Sequence, residues 1–448
     1  MRQPSPVSAA TPPGYPPASY AWYVVGVLVL ATVLSYTDRQ ILSLLVDPMR
    51  RDLRISDTQM GLLMGSAFAF VYGIAGIPLG WLADRMCRRN LIVAGITLWS
   101  IGTVCCGLAA DFTQFFGARL LVGVGEAVLT PASVAIISDS FPERTRGKAT
   151  SVFLMGVAMG GGGAILFGGV ILRLVTAGVL RGTPLEQTPA WRAVLLLLGL
   201  LGVIPAILVA MVREPARVHG TGLTERIEAG AVSPREWVRL IPLFMAMATA
   251  SLVDNATLAW IPSVLVRGFG LSAAFVGPLL GTLLMFAGGG GMLAGGLVSD
   301  RARTSRSGGG RIPVALIAAL ATVPVTALVT SSSLNGVLAG VTLYVFLACI
   351  SESAGTLSLL DAVPNHRHGL VTAVSFFLNV AFGAGIGPVA VGWVADHFEL
   401  TGRALASAIL SVACPGFVLV SGLLYLALRI ARKSARANSI SSLRTALD

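Results

Sequence analysis

The sequence predicts an all-α membrane protein, with twelve transmembrane helices set in two pseudo-symmetric halves of six. Three observations carry that reading. The 448 residues are 55% hydrophobic and only 12% charged, with a mean hydropathy of +0.80, too little polar surface for a water-soluble chain of this size. Apolar runs long enough to cross a bilayer, about 20 residues each, recur along the chain. The second set of runs also repeats the first. Sliding it by 216 residues pairs Ser35–Arg85 with Ser251–Arg301 without a gap, and thirteen of the fifty-one pairs are identical. Asp38/Asp254, Gly61/Gly277, Gly65/Gly281, Gly80/Gly296, Asp84/Asp300 and Arg85/Arg301 are among the matches. Most are polar or glycine, so shared hydrophobicity does not explain them.

The elements follow in order. A tail over 1–19 holds six prolines and no apolar core, which predicts a disordered cytoplasmic segment and not a signal peptide. The first half, 20–212, contains helix 1 (21–47) and helix 2 (58–82), the latter opened by Ser56-Asp-Thr-Gln59 as a capping box. Helices 3 (90–109), 4 (113–138), 5 (148–172) and 6 (191–212) complete it. The longest polar break, 213–236, is a cytoplasmic linker. In the second half, 237–428, helix 7 (237–266) begins behind Ser233-Pro-Arg-Glu236, a cap with proline at the first helical position. Helices 8 (272–298), 9 (312–331), 10 (335–360), 11 (369–395) and 12 (403–428) follow, then a basic cytoplasmic tail, 429–448.

A net charge of +11 invites a nucleic-acid reading, but the distribution argues for topology. Arg85, Arg88 and Arg89 follow helix 2; Arg144, Arg146 and Lys148 precede helix 5. Arg301, Arg303, Arg306 and Arg311 follow helix 8, and Arg429, Arg432, Lys433 and Arg436 follow helix 12. All share one side if both termini are cytoplasmic, as the positive-inside rule requires. On the other side Arg50, Arg51 and Arg54 are interleaved with Asp47, Asp52 and Asp57. The sequence therefore points to a multi-pass protein of a bacterial inner membrane with no nucleic-acid partner. The five cysteines have no zinc-type spacing, and no Gly-x-x-x-x-Gly-Lys loop occurs, so no metal or nucleotide cofactor is expected. His219, His366, His368 and His397 lie in loops or at helix ends, which leaves no catalytic set at membrane depth and argues against an enzyme.

Charges inside the spans are few and ordered. They are Asp38 and Arg39 on helix 1, Arg119 and Glu126 on helix 4, Asp254 on helix 7 and Glu352 on helix 10. A charge in hydrocarbon costs about 2.5–3.5 kcal/mol on the insertion scale, so these four helices are expected to face one another around a polar pathway. Arg119 and Glu126 stand seven residues apart, two turns down one helical face, roughly 10 Å. Asp38 with Arg119 and Arg39 with Glu126 are the pairings that would lock helix 1 to helix 4. Either arginine suits a phosphate or carboxylate. Glu126, near mid-membrane, is the candidate proton site, with Asp38 as the competitor.

Two loop motifs complete the reading. "GWLADRMCRR", Gly80 to Arg89, joins helices 2 and 3, and "GGLVSDRAR" repeats it after helix 8. It resembles the loop signature of the major facilitator superfamily, with Cys87 in place of the second glycine. That resemblance implies a conformational latch at Gly80, Asp84, Arg85, Gly296, Asp300 and Arg301, in which Asp84 faces the positive N-terminus of a helix from the other half. "RLLVGVGEA", Arg119 to Ala127, resembles the superfamily's helix 4 motif, and "GAGIGP", Gly383 to Pro388, its glycine–proline pattern. Glycine runs at Gly160–Gly163 and Gly288–Gly291 are expected where helices 5 and 8 cross between halves, with Gly161 and Gly289 in contact.

Over 20–217 the chain looks most like the Spinster family of sphingolipid and lysophospholipid transporters. Tyr36-x-Asp38-Arg39, the Arg119–Ala127 motif, Pro131 and "VREPAR" at Val212–Arg217 carry the likeness. The organic-anion symporters share the first two features. The resemblance implies a monomeric secondary transporter working by alternating access, coupled to protons, for an amphipathic anionic lipid. Small organic anions are the alternative substrate, and a non-transporting sensor is the remote one. It also implies that Asp38, Arg39 and Glu126 serve coupling and headgroup contact.

Overall fold

The computed structural model describes residues 15–215, 234–303, 310–364 and 367–445, and its elements there are all helical. The proline-rich start, Arg217, His219, Ser233, Arg306 and His366 lie outside the described residues. Eleven spans meet the length and composition of a membrane crossing: α1 (Ala18–Leu53), α2 (Asp57–Arg85), α3 (Arg88–Leu108), α4 (Phe112–Ser140), α6 (Ala190–Ala210), α7 (Trp237–Phe269), α8 (Ala273–Ala302), α9 (Ile312–Thr330), α10 (Leu334–Asp361), α11 (His368–His397) and α12 (Gly402–Lys433). The twelfth, α5 (Glu143–Thr176), bends by 48° between Glu143–Gly156 and Gly161–Thr176. Large apolar side chains such as Phe70, Phe286 and Leu293 stand outward, as a bilayer solvent allows.

Local sequence accounts for the helix ends. α1 stops where Arg54 turns left-handed (φ 53°) and returns its N–H to the Arg50 carbonyl. The capping box of α2 forms as expected: Ser56 Oγ accepts from the Gln59 N–H, and Gln59 Oε1 from the Ser56 N–H. Pro234 begins the helix that becomes α7. The last helix runs on through the basic segment after 428 to Thr445.

Two spans deviate together. α2 breaks at Gly65, and α11 widens into a π-turn at Asn379–Ala384. The deviations face each other: Ser66 Oγ donates to the Gly385 carbonyl at 2.6 Å, occupying an acceptor at the end of the widened turn. A side chain on Gly61 would strike the Pro388 carbonyl, at 2.6 Å from its Cβ. The halves therefore meet closely along α2 and α11.

They meet again where α5 crosses α8, through Gly162 of the expected run but not through Gly161 and Gly289. A Cβ on Gly169 would lie 2.6 Å from the Gly277 Cα, and one on Gly162 would lie 2.9 Å from the Gly281 carbonyl. Gly161 and Gly289 face open space. The crossing occurs one helical face away from the one expected. We predict that Gly169→Leu lowers the thermal stability of the purified protein through overpacking of about 1–3 kcal/mol. Gly289→Leu should leave it unchanged. Equal losses in melting experiments on the two variants would contradict this contact.

Candidate functional site

α1 carries Ser35, Asp38 and Arg39 toward α4, whose Arg119 and Glu126 are both buried. Both pairings expected from the spacing form. Asp38 accepts from Arg119 at 3.3 Å, and Glu126 accepts from Arg39 at 2.5 Å. Ser35, one turn before Arg39, adds a 2.7 Å hydrogen bond to the same Glu126 oxygen. The other oxygen, Oε1, is buried without a partner.

The two arginines differ in access. Arg119 is sealed, its side chain 2% exposed, with Nε donating to the Leu63 carbonyl. Arg39 is 19% exposed and stands among three rings, its guanidinium 4.9 Å from the Tyr36 centroid, 4.3 Å from Phe68 and 4.8 Å from Tyr72. Rings hold a guanidinium in place and leave its donors open to an anion. The aromatic wall continues across the interface from Tyr72 to Phe376 of α11, 6.2 Å away.

The second half repeats this arrangement with the cations removed. Asp254, in the register of Asp38, accepts from the Tyr344 hydroxyl at 2.7 Å. Asn255, in the register of Arg39, donates to the Ser251 carbonyl. Glu352 on α10 is half-buried. Among the described residues no arginine or lysine forms an ion pair with Asp254 or Glu352. The interior charge of the second half is therefore acidic, whereas that of the first half is balanced.

The loop residues fall at the end of the bundle that bears the basic clusters, called here the basic face. A Cβ on Gly80 or Gly296 would meet nothing within 4 Å. Arg85 lies over Trp81, 3.6 Å from the ring, and Asp300 bonds to Arg311 of the same half at 2.8 Å. Asp84 ends α2. Cys87, in the glycine position of the motif, precedes α3, and Glu214 of the "VREPAR" segment caps that helix by accepting from the Arg88 and Arg89 amides at 3.0 and 2.9 Å.

The opposite end, the far face, is closed by residues that sequence reasoning missed. Arg267 of α7 reaches across to Asp47 at 2.5 Å and grips Asp57 with two bonds of 2.8 and 2.9 Å. Asp396 of α11 accepts from the amides of Asp57 and Thr58 at 3.1 and 2.7 Å and from the Thr58 hydroxyl at 2.6 Å. One signal for Arg267 was available, because Arg51/Arg267 is among the thirteen identical pairs of the duplication.

The twelve spans among the described residues, in duplicated halves with an interior charge cluster and one closed face, have the architecture of a membrane transport protein. The chain belongs to the Major Facilitator Superfamily, whose sequence pattern matches residues 28–388. An MFS-type efflux pump of Mycolicibacterium smegmatis is 28% identical over 410 residues, 87% of this chain and 88% of its own. A hexuronate transporter of Bacillus subtilis is 27% identical, over 84% of this chain and 88% of that one. A bacterial homolog of the human lysosomal transporter Spinster, solved in an inward-facing, unoccupied conformation, matches the fold with a TM-score of 0.77. The two are 25% identical, over 94% of this chain and 98% of that one. The architecture is Spinster-like.

The sealed pair provides a prediction. Arg119→Leu leaves the Asp38 carboxylate buried and uncompensated, which should cost about 3–5 kcal/mol of stability. Adding Asp38→Asn should recover most of it. A double-mutant cycle with additive losses would show that the pair does not interact.

Proposed function

We propose that the protein is a proton-coupled secondary transporter that carries an amphipathic anionic lipid of the sphingolipid or lysophospholipid class by alternating access, as a monomer. The six-helix halves rock about the α5–α8 and α2–α11 contacts, joined by the linker 213–236. The basic face is cytoplasmic, with both termini there, in a bacterial inner membrane. The positive-inside rule supports that orientation.

One observation carries the substrate reading: Arg39 is the reachable cation of the interior, and an aromatic wall leads away from it. A phosphate or carboxylate headgroup pairs with the guanidinium, and the acyl chain lies along Tyr72 and Phe376. The incoming anion displaces Glu126 from Arg39, and the released, buried carboxylate takes a proton. Substrate and proton are thereby coupled through one arginine. Arg119, already paired and sealed, holds α1 to α4 and makes no substrate contact. The same exchange would serve a small organic anion, and the likeness to a hexuronate transporter favours that as the second reading.

Uptake into proteoliposomes decides between them. A lysophospholipid should compete with a labelled lipid substrate under an imposed pH gradient, and glucuronate should not. Accumulation of glucuronate without lipid competition would overturn the lipid reading. Within the lipid reading, Glu126→Gln should abolish pH-driven accumulation yet keep binding and gradient-independent exchange. Arg39→Gln should weaken binding by tenfold or more, for a charged hydrogen bond worth about 1.5–3 kcal/mol. If the Glu126→Gln protein still concentrates substrate in response to a pH gradient, the proton is carried elsewhere, and Asp38 is the next residue to test.

A further inference from the structure

Besides the repeat after helix 8, the chain contains a further copy of its latch motif, in a place the duplication does not explain. "GWLADR", Gly80–Arg85, recurs as "GWVADH", Gly392–His397, with four of six positions identical and the other two conservative. The first ends α2 and the second ends α11, the two spans that pack against each other across the interface. The spans run antiparallel, so the motifs sit at opposite faces, and the second lies against the start of α2. Their local structure also repeats. Arg85 lies over Trp81, and His397 stacks on Trp393 with centroids 5.0 Å apart and planes 9° apart.

We propose that Gly392–His397 is a far-face latch, the counterpart of Gly80–Arg85, and that Asp396 and Gly392 hold the far face closed. The copy is engaged in this structure. The Asp396 carboxylate takes the first two amides of α2 and the Thr58 hydroxyl, which satisfies donors that helix geometry leaves open and places a negative charge at the positive end of the helix. Gly392 makes the approach possible: a Cβ there would lie 2.8 Å from the Asp57 carbonyl carbon and 3.1 Å from the Thr58 Cα. At the other end of the same helix pair Gly80, in the equivalent position, has nothing within 4 Å of a built Cβ. One glycine is in use and its counterpart is idle. Rocking of one half against the other would separate the Gly392 contact and bring Gly80 against the start of α11. Each hexapeptide then serves one end state, and glycine and aspartate are needed in both for the same reason.

The inference rests on the alternating-access reading, but its test needs no substrate. Distances between spin labels on the two halves, at each face, would be measured on the full chain in lipid nanodiscs. Asp396→Asn, which keeps the shape and removes the charge, should raise the far-face-open population roughly three- to tenfold. Gly392→Ala should do the same through contact with the Asp57 backbone. Gly80→Ala, made in the Asp396→Asn background, should reverse the shift. Thr58→Ala removes only the hydroxyl bond and gives a smaller shift in the first direction, a check that survives if a glycine variant fails to fold. Unchanged distances in Asp396→Asn and Thr58→Ala, or a shift of Gly392→Ala and Gly80→Ala in the same direction, would overturn the proposal. Uptake assays would still test transport independently.

Discussion

The interior of this protein depends on how two arginines are kept charged within the membrane-spanning bundle, one sealed and one partly open. Removing an ion from water costs several kcal/mol, and an opposite charge at contact distance repays it only with good geometry. α1 and α4 meet that demand with two pairs, Asp38–Arg119 and Arg39–Glu126, set two turns apart on α4. The pairs do different work. Arg119 is closed off and braces the two helices. Arg39 is also braced by aromatic faces and retains access, and in the proposed cycle its partner Glu126 is exchanged for another anion. A site that must bind and release a charged substrate needs one such exchangeable pair beside one that stays fixed.

The second half shows what the duplication kept and what it changed. Asp254 retains the place of Asp38, but a tyrosine hydroxyl stands where an arginine would pair with it, and Asn255 replaces Arg39. Among the described residues the mid-span cations lie in the first half. In the proposed cycle a substrate anion drawn to Arg39 would be held mainly by the first half, with the second half closing over it. The closed far face joins the halves through separate contacts, Arg267 on Asp47 and Asp57 and Asp396 on the start of α2. All of these bonds reach the first half at the end of α1 or the start of α2.

The parts of this arrangement that lipid enforces were legible in the sequence. Hydrocarbon does not solvate charge, so isolated ionisable residues on every third span had to converge. The seven-residue spacing of Arg119 and Glu126 then named both pairs. Geometry that many residues can satisfy was not legible. A run such as Gly288–Gly291 presents a small residue on every face, which hides the phase of the crossing, and on α8 the contact fell on Gly277 and Gly281 instead. The π-turn at Asn379–Ala384 was not read from the local sequence, and in the structure it lies against the break at Gly65 on a distant segment. Arg267 was passed over because Asp47 and Asp57 already had arginines nearby in sequence, and only folding shows that the partner comes from the other half.

The central claim is that one arginine exchanges its internal carboxylate for the substrate anion, so that binding and protonation are a single event. Proton uptake on adding a lysophospholipid to purified protein in weakly buffered solution tests this directly. The account predicts about one proton taken up per anion bound by the wild-type protein, and none by the Glu126→Gln variant, which should bind at least as tightly because Arg39 is already released. Binding without proton uptake in the wild-type protein, or equal uptake in the two proteins, would contradict it.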